Sequence, residues 1–194
     1  VGSEMCIRDR ESTVSGRALD EKQQEALAEA VALAKASDIV IFVGGLNHDF
    51  DVEGLDRVNM KLPYGQDEVI DALLKAVPDT VVCMYAGAPV EMPWAEKAKA
   101  ILWSYYAGME GGTALAEILS GKVNPSGKLA ETFIRDASQC PAHTIGTFGK
   151  KDRVEYREGV MVGYRYYDTK KQMSCSRLGM DFPIRHLLMM ILKL

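Results

Sequence analysis

The sequence predicts an α/β fold: a mainly parallel sheet flanked by helices on both faces, an α/β sandwich that is incomplete at both ends. Continuous apolar runs at 39–43, 80–85 and 100–105 are typical of strands buried on both faces of a parallel sheet. Amphipathic segments alternate with these runs over short links, and this alternation places helices on the sheet faces. Complete sheets have about five or six strands, so the clear runs account for only part of one.

Each predicted helix has apolar residues along one side. The first covers 20–36, and Asp20 is placed to cap it. The second covers 65–77, where valine and leucine recur at helical spacing. Shorter helices are expected near 94–98 and over 113–119, the latter after the glycines of AGMEGG, which predict a tight strand-to-helix turn.

The chain changes character after Gly121. NPSGKL at 124–129 predicts a turn, and 136–153 is loop-like. The segment 155–168 is rich in aromatic and β-branched residues, which predicts an extended segment or an edge strand. Two roles are open for its tyrosines, stacking on a sugar or packing at a domain seam. These tyrosines are Tyr164, Tyr166 and Tyr167.

Neither end of the chain shares the pattern of the middle. Residues 1–10 (VGSEMCIRDR) resemble translated sequencing-adapter read-through. Residues 173–194 hold four of the ten methionines. When MSCSRLGMDFPIRHL is back-translated with suitable codon choices and read one nucleotide earlier, it gives the strand–turn–strand phrase VLFPFGHGLSYTTF. We therefore predict a frameshift near Gln172, which an uninterrupted frame on resequencing would exclude. The predicted domains are 1–16 as a non-native or linker segment, 17–172 as the folded domain and 173–194 as a frameshifted tail.

Composition excludes several classes of function. The 194 residues are 47% hydrophobic and 26% charged, which suits one domain with a core. A net charge of −4 without a basic run argues against a nucleic-acid partner. No window holds the roughly 18 apolar residues of a membrane span, and the histidines and cysteines lack zinc-ligand spacing. The cysteines of the central part, Cys83 and Cys140, favour a reducing, cytoplasmic compartment.

The loop GGLNHDFDVEGLDR (44–57) is the main candidate site, because it leaves a strand at the carboxyl end, where α/β sheets bind ligands. The residues leave several interpretations open: a solvated acidic loop, a Ca²⁺ site, a phosphate cradle or a carboxylic acid for proton transfer. EF-hand spacing and glycine-rich phosphate motifs are missing. Like charges and Phe50 around Glu53 would favour the protonated form that a general acid needs. The loop carboxylates are Asp49, Asp51, Glu53 and Asp56.

Two further groups of residues have plainer interpretations. Cys140 and His143 form a candidate nucleophile pair, although a loop histidine beside an ordinary cysteine is the simpler interpretation. No GxSxG elbow is present. Trp94 and Trp103 fall on a predicted helix and strand, and both are expected in the core.

Several phrases together resemble one known family. They are LNHDFDVEGLDR followed by LPYGQ, then YAGAPVEMPW, YYAGMEGGTALAEILSGKVNPSGKL and EGVMVGYRYYD. Over about residues 20–172 the chain is similar to the C-terminal α/β-sandwich domain of glycoside hydrolase family 3, whose members are β-glucosidases and related exo-acting enzymes. The phrase FPFGHGLSYTTF from the shifted frame resembles the next segment of the domain in that family.

The resemblance implies a retaining mechanism that uses no metal or other cofactor. An Asp on an N-terminal (β/α)8 barrel attacks the anomeric carbon, while a Glu of the sandwich domain protonates the leaving oxygen and later activates water, the two carboxyl groups lying about 5–5.5 Å apart. Glu53 in the E-G-x-D-R phrase matches this acid/base, with Asp49 and Asp51 as fallback choices. Asp56 and Arg57 match the phrase too and are expected to pair and hold the loop.

The barrel is not in this sequence, so the resemblance implies that the chain alone is inactive. Its expected partners are that barrel and a β-glucoside or oligosaccharide substrate with a terminal β-D-glucosyl residue. β-Xylosidase and α-L-arabinofuranosidase activities share the domain, whereas the EGLDR loop disfavours the N-acetylglucosaminidase branch. The alternative is a stand-alone carbohydrate- or nucleotide-binding α/β module, which would need a complete sheet and its own pocket.

Overall fold

A computed structural model describes residues 19–54, 57–147 and 152–171. The segments assigned from the sequence to 1–16 and 173–194, and the expected frameshift position, lie outside the described residues. The strands are β1 (Ile41–Gly45), β2 (Val81–Tyr85) and β3 (Ala100–Trp103). The helices are α1 (Glu21–Lys35), α2 (Gln66–Ala76), α3 (Gly111–Leu119), α4 (Pro141–Thr144) and α5 (Tyr164–Lys170), with a 3₁₀ turn at Ala137–Gln139.

The strands pair in parallel in the order β1-β2-β3. Ile41 lies opposite Val81, and Val81 lies opposite Ala100. Helix α2 forms the crossover from β1 to β2, whereas turns alone join β2 to β3. The predicted α/β class is confirmed, and the carboxyl ends of the three strands meet at one edge of the sheet.

Helices cover both faces of the sheet, as the sequence predicts. On one face, Ile70 and Leu74 of α2 belong to the same buried cluster as Val82 and Met84 of β2. On the other face, the side chains of α3 pack beside Cys83. The α3 residues on that face are Leu115, Ile118 and Leu119. Both tryptophans belong to the core as expected, Trp94 fully buried and Trp103 packed against the same cluster.

Strand β1 is not buried on both faces, in contrast to the prediction. Phe42 packs against the core, but Ile41 and Val43 are 43% and 57% exposed, and Ile39 just before the strand is exposed as well. Because these residues alternate, they share the sheet face that α3 covers over β2 and β3. Among the described residues no helix extends that cover to β1. The apolar run therefore indicates a strand but not its burial on both faces.

Helix α1 begins where the sequence predicts. Asp20 Oδ1 accepts from the Gln23 backbone N–H at 2.8 Å, and Gln23 Oε1 accepts from the Asp20 N–H at 2.9 Å. This reciprocal capping box satisfies two amide groups that the first turn leaves without helical partners. The helix then packs on α2 through a small cluster that includes Ala34, Val69 and Leu73.

The predicted helix near 94–98 is wrong. The segment forms overlapping turns, in which the Lys97 N–H donates to the Trp94 carbonyl at 2.9 Å and the Ala98 N–H to the Ala95 carbonyl at 3.3 Å. The stretch is too short to repay helix nucleation. Trp94 is nevertheless buried, because the turns follow the core surface.

The extended segment predicted over 155–168 is also wrong. Its aromatic end forms α5, which starts after Gly163 at φ 56°. Tyr167 is buried, while Tyr164 on the same helix is exposed. Aromatic residues favour strands in general. Here the short helix buries one tyrosine, Tyr167, and this tertiary contact overrides the local preference for a strand. The loop predicted over 136–153 contains the 3₁₀ turn and α4 as short ordered pieces.

Both cysteines of the described part are free thiols. Cys83 lies in the core, and burial raises its pKa to about 11. Cys140 is half-buried. Within residues 19–54, 57–147 and 152–171, no helix has the length and apolar character needed to span a bilayer.

Candidate functional site

The loop that follows β1 starts from a point fixed by Gln66. The Gly45 N–H donates to Gln66 Oε1 at 2.7 Å, and Gln66 Nε2 donates back to the Gly45 carbonyl at 2.8 Å. Gly45 has φ 141°, and a Cβ there would lie 1.8 Å from the Tyr85 carbonyl oxygen. The Leu46 N–H donates to that same oxygen at 2.8 Å. The loop therefore leaves β1 pressed against the end of β2.

Asp49 is held from the α2 side of the loop. Tyr64 Oη donates to Asp49 Oδ2 at 2.9 Å, and Asn47 Nδ2 lies 3.4 Å from the same oxygen. Tyr64 adopts φ 61°, uncommon for a residue with a side chain, and its ring packs edge-on against Phe50 with centroids 5.2 Å apart. Asp49 is therefore already hydrogen-bonded within the loop.

Asp51 is held from the opposite side of the loop, by a tyrosine that follows β3. Tyr106 Oη donates to Asp51 Oδ2 at 2.7 Å. Burial, and then this hydrogen bond, raise the pKa of Tyr106 to about 12, so the phenol stays a donor at ordinary pH. Tyr64 and Tyr106 thus anchor the acidic loop from two sides.

Glu53 occupies an exposed turn two residues beyond Asp51. Gly54 follows at φ 83°, a left-handed conformation that suits glycine and reverses the chain. No side chain within the described ranges hydrogen-bonds or pairs with the Glu53 carboxylate. The like charges expected to crowd it, Asp49 and Asp51, are each bound to a tyrosine hydroxyl. Of the loop carboxylates that the structure describes, Glu53 is therefore the one open to an incoming group.

Arg57 ties the far end of the loop to the segment after β2. Its Nη2 donates to the Pro89 carbonyl at 3.1 Å, while its Nη1 is buried with no hydrogen-bond partner among the described residues. Its charge lowers the pKa of Tyr106 slightly, against the larger effect of burial. Asp56 lies outside the described residues, so the expected Asp56–Arg57 pair stays a prediction. The loop-holding role of Arg57 likewise stays a prediction.

Reasoning from the sequence did not single out Gln66, Tyr64 or Tyr106. Gln66 and Tyr64 stand in the LPYGQ phrase, and Tyr106 follows a strand at the carboxyl edge of the sheet. Their positions in the sequence therefore gave some indication of a role at the site. Their partners are distant along the chain, however: Tyr106 and Asp51 are 55 residues apart. Nothing in the spacing of the sequence indicates which hydroxyl meets which carboxylate.

The remaining candidate residues, the Cys140–His143 pair and the tyrosines of α5, make local contacts of their own. Cys140 precedes α4 and accepts a backbone hydrogen bond from the His143 N–H at 3.1 Å, a contact of the helix and not of a nucleophile pair. Burial raises the pKa of Tyr167 to about 12, and its ring packs edge-on against Tyr166 with centroids 5.4 Å apart. In the described part of the chain, no group of three or more His, Cys, Asp or Glu is placed to hold a metal ion.

The comparison with protein families decides the assignment. The model of the glycosyl hydrolase family 3 C-terminal domain matches residues 6–164. The chain belongs to glycoside hydrolase family 3. It is a C-terminal domain of that family, and its parallel sheet with helices on both faces agrees with the α/β sandwich expected of it.

Similar proteins of family 3 are much longer than this chain. A β-glucosidase of Bacteroides ovatus is 49% identical over 148 residues, which is 74% of this chain and 20% of that protein. Thermostable β-glucosidase B of Acetivibrio thermocellus is 46% identical over 147 residues, 76% of this chain and 19% of that protein. The crystal structure of β-glucosidase from Kluyveromyces marxianus in complex with glucose has a TM-score of 0.78 and 37% identity, and the match covers 84% of this chain and 20% of that one. The family 3 domain thus spans about a fifth of the length of these relatives.

Proposed function

We propose that this domain supplies Glu53 as the general acid/base of a retaining, exo-acting β-glycosidase that removes terminal non-reducing β-D-glucosyl residues. One observation carries the proposal: Glu53 is exposed on a turn at the carboxyl edge of the sheet, while Asp49 and Asp51 beside it are bound to tyrosines. The two similar proteins from Bacteroides ovatus and Acetivibrio thermocellus are β-glucosidases, which supports glucose as the sugar that is removed.

The reaction needs a second carboxylate, which we place on a (β/α)8 barrel in the rest of the full-length protein. That carboxylate attacks the anomeric carbon while Glu53 gives its proton to the glycosidic oxygen, and the aglycone leaves as an alcohol. The Glu53 carboxylate then takes a proton from water. The activated water attacks the anomeric carbon, the bond from this carbon to the barrel carboxylate breaks, and the sugar is released with its original anomeric configuration.

The loop suits this role because hydrogen bonds fix its first residues and the turn that carries Glu53 is exposed. Gln66 holds both backbone groups of Gly45, and the tyrosines hold the carboxylates on the way to the turn. General acid catalysis requires the donor within hydrogen-bond reach of the leaving oxygen. An exposed Glu53 at a defined edge can be covered by a neighbouring domain without breaking an existing contact.

The test is a hybrid enzyme in which residues 19–171 replace the matching segment of the Bacteroides ovatus β-glucosidase. In this hybrid we expect Glu53→Ala to lower kcat for alkyl β-glucosides by about 10²- to 10⁴-fold, the usual contribution of a general acid. We expect a much smaller effect on the first step with 2,4-dinitrophenyl β-glucoside, whose leaving group needs no proton. Azide should restore turnover and yield β-glucosyl azide.

The matched controls are the neighbouring carboxylates. Asp49→Asn and Asp51→Asn change the loop by the same loss of charge, and neither should show azide rescue. Azide rescue in one of these variants and not in Glu53→Ala would move the acid/base role to that aspartate. A hybrid that keeps full activity on alkyl β-glucosides with Glu53→Ala would end the proposal.

The same hybrid tests the sugar that we propose. We expect p-nitrophenyl β-D-glucoside to be the preferred substrate over the corresponding β-D-xyloside and α-L-arabinofuranoside, as measured by kcat/KM. Because most groups that contact the sugar would belong to the barrel, the preference of the parent Bacteroides ovatus β-glucosidase serves as the reference. A xyloside preference would retain the acid/base role and correct the substrate class.

A further inference from the structure

Tyr106 reaches from the end of β3 across the sheet edge to the loop of β1. Its hydroxyl donates to Asp51 Oδ2 at 2.7 Å, and Asp51 lies two residues before Glu53. We propose that Tyr106 is a positioning residue, which orients the Glu53 turn through Asp51. This inference rests on the proposed acid/base role of Glu53.

The backbone after β3 is shaped to deliver this hydroxyl. The Ser104 N–H donates to the Met84 carbonyl at 2.8 Å, which keeps the strand end in register with β2. Tyr105 then adopts φ 48°, a left-handed conformation that is costly for a residue with a side chain. As a result the two tyrosines diverge: Tyr105 Oη accepts from the Ala130 N–H at 3.1 Å, while Tyr106 turns to Asp51.

Gly87, in the turn after β2, leaves the space for this contact. A Cβ at Gly87 would lie 2.8 Å from Cε2 of Tyr106 and 3.2 Å from Oδ2 of Asp51. Any larger residue would therefore push the ring or the carboxylate away. The contact joins the loops of all three strands at the edge where ligands bind in such sheets.

The hydrogen bond acts on the short stretch of chain that leads into the exposed turn with Glu53. Upstream, the Phe50 and Asp51 N–H groups both donate to the Asn47 carbonyl, at 3.0 and 2.9 Å, so the loop is ordered as far as Asp51. Val52 comes next, half-buried and in an isolated β-bridge, and beyond it Glu53 and Gly54 are exposed. The Asp51 side chain and the Val52 bridge thus hold the chain just before the turn, and losing the Tyr106 hydrogen bond removes one of these two constraints on the proton donor.

The role of Tyr106 can be separated from a role in folding. Its side chain is 53% exposed, so Tyr106→Phe removes one oxygen and leaves the core packing unchanged. The matched control is Tyr105→Phe, which removes the hydroxyl of the adjacent tyrosine and affects only the contact with Ala130. The two variants therefore carry the same chemical change at neighbouring positions with different partners.

The first experiment measures amide hydrogen exchange in the 194-residue chain. We expect Tyr106→Phe to speed exchange at 51–54 by about 10-fold or more, which corresponds to loss of one charge-assisted hydrogen bond. Tyr105→Phe should leave these amides unchanged. Unchanged exchange in Tyr106→Phe would overturn the proposal.

The second experiment measures kinetics in the Bacteroides ovatus hybrid. We expect Tyr106→Phe to lower kcat for alkyl β-glucosides by about 10-fold through misplacement of the donor, with little change for 2,4-dinitrophenyl β-glucoside and in KM. An equal loss on both substrates, or the same loss in Tyr105→Phe, would contradict a positioning role. Glu53→Ala with azide, measured in parallel, reports on the acid/base assignment separately, so failure of one proposal is not read as failure of the other.

Discussion

Gln66 makes the contact on which the geometry of the site depends most directly. Its side-chain amide pairs with both the N–H and the carbonyl of Gly45, so one side chain satisfies both backbone polar groups of the last residue of β1. Backbone polar groups that are shielded from water need such partners. The loop with Glu53 therefore starts from a backbone position set by a residue of the next helix.

We expect Gln66→Ala to lower the free energy of unfolding by about 2–3 kcal/mol, because two partly buried backbone groups lose their partner. Denaturant unfolding of the 194-residue chain measures this. The control is Gln24→Ala, which removes an exposed amide that donates to the Leu19 carbonyl at 3.0 Å and should cost less than about 0.5 kcal/mol. Equal losses in both variants would show that Gln66 has no special role.

Local residue roles were predictable only where both partners lie close in sequence. The Asp20 cap follows from a side chain and an amide three residues apart, and the structure confirms it. The bonds of Gln66 to Gly45 and of Tyr106 to Asp51 span 21 and 55 residues. They depend on how strands and helices pack, which no local pattern specifies.

At the scale of elements, α2 carries two aspartates in opposite environments. Asp67 Oδ1 accepts from the buried Trp94 Nε1 at 2.8 Å, and burial raises its pKa to about 6. The indole hydrogen bond opposes this shift, as does the charge of Lys61, whereas two nearby glutamates add to it. Asp71 on the same helix pairs with Lys75 and Lys97, which lower its pKa.

These shifts predict how stability depends on pH. The folded chain holds the Asp67 proton more tightly than the unfolded chain, since the pKa rises from 3.8 to about 6. The contribution of Asp67 to stability is therefore complete below pH 4 and is lost as the pH rises through 6. Allowing for partial solvent screening, we expect Asp67 to reduce the unfolding free energy by about 1 kcal/mol between pH 5 and 7.

Asp67→Asn should remove that decline while its side-chain oxygen still accepts from Trp94. Denaturant unfolding at pH 5, 6 and 7 measures the change. Asp71→Asn is the matched control: because the pKa of Asp71 lies below its ordinary value, this group stays ionised over the whole interval and adds no slope. An Asp67→Asn variant with the slope of the parent chain would refute the assignment.

The elements themselves were predictable where the pattern is long. The first helix, α2 and the three parallel strands follow from periodicity and alternation, and the structure confirms them. The exposed face of β1 and helix α5 were not predictable, because composition does not reveal which apolar residues find a cover. An apolar side chain can be buried, but whether it is buried depends on the elements that pack beside it.

At the scale of the whole molecule, the proposed chemistry is divided between this domain and a barrel. The chain spans about a fifth of the relatives from Bacteroides ovatus and Acetivibrio thermocellus. The candidate donor Glu53 lies at an exposed sheet edge, where a second domain can complete a cleft. A proton donor without an opposing nucleophile cannot carry out double displacement.

We therefore expect the purified 194-residue chain to leave p-nitrophenyl β-D-glucoside unhydrolysed. Release of nitrophenol measured over hours against a buffer blank provides the test, with the hybrid enzyme as positive control. Turnover by the chain alone that disappears in Glu53→Gln would contradict the division of the catalytic pair between two domains.

Position 45 limits how this site can evolve. A Cβ there would overlap the Tyr85 carbonyl oxygen at 1.8 Å, and the backbone at φ 141° disfavours every L-amino acid with a side chain. A library randomised along the loop should therefore return glycine at 45 in all folded clones, whichever sugar is used for selection. Gly54 meets no described atom within 4 Å, but its φ of 83° also favours glycine, so new specificities on this domain should arise at the other residues of the loop tip and leave its root untouched.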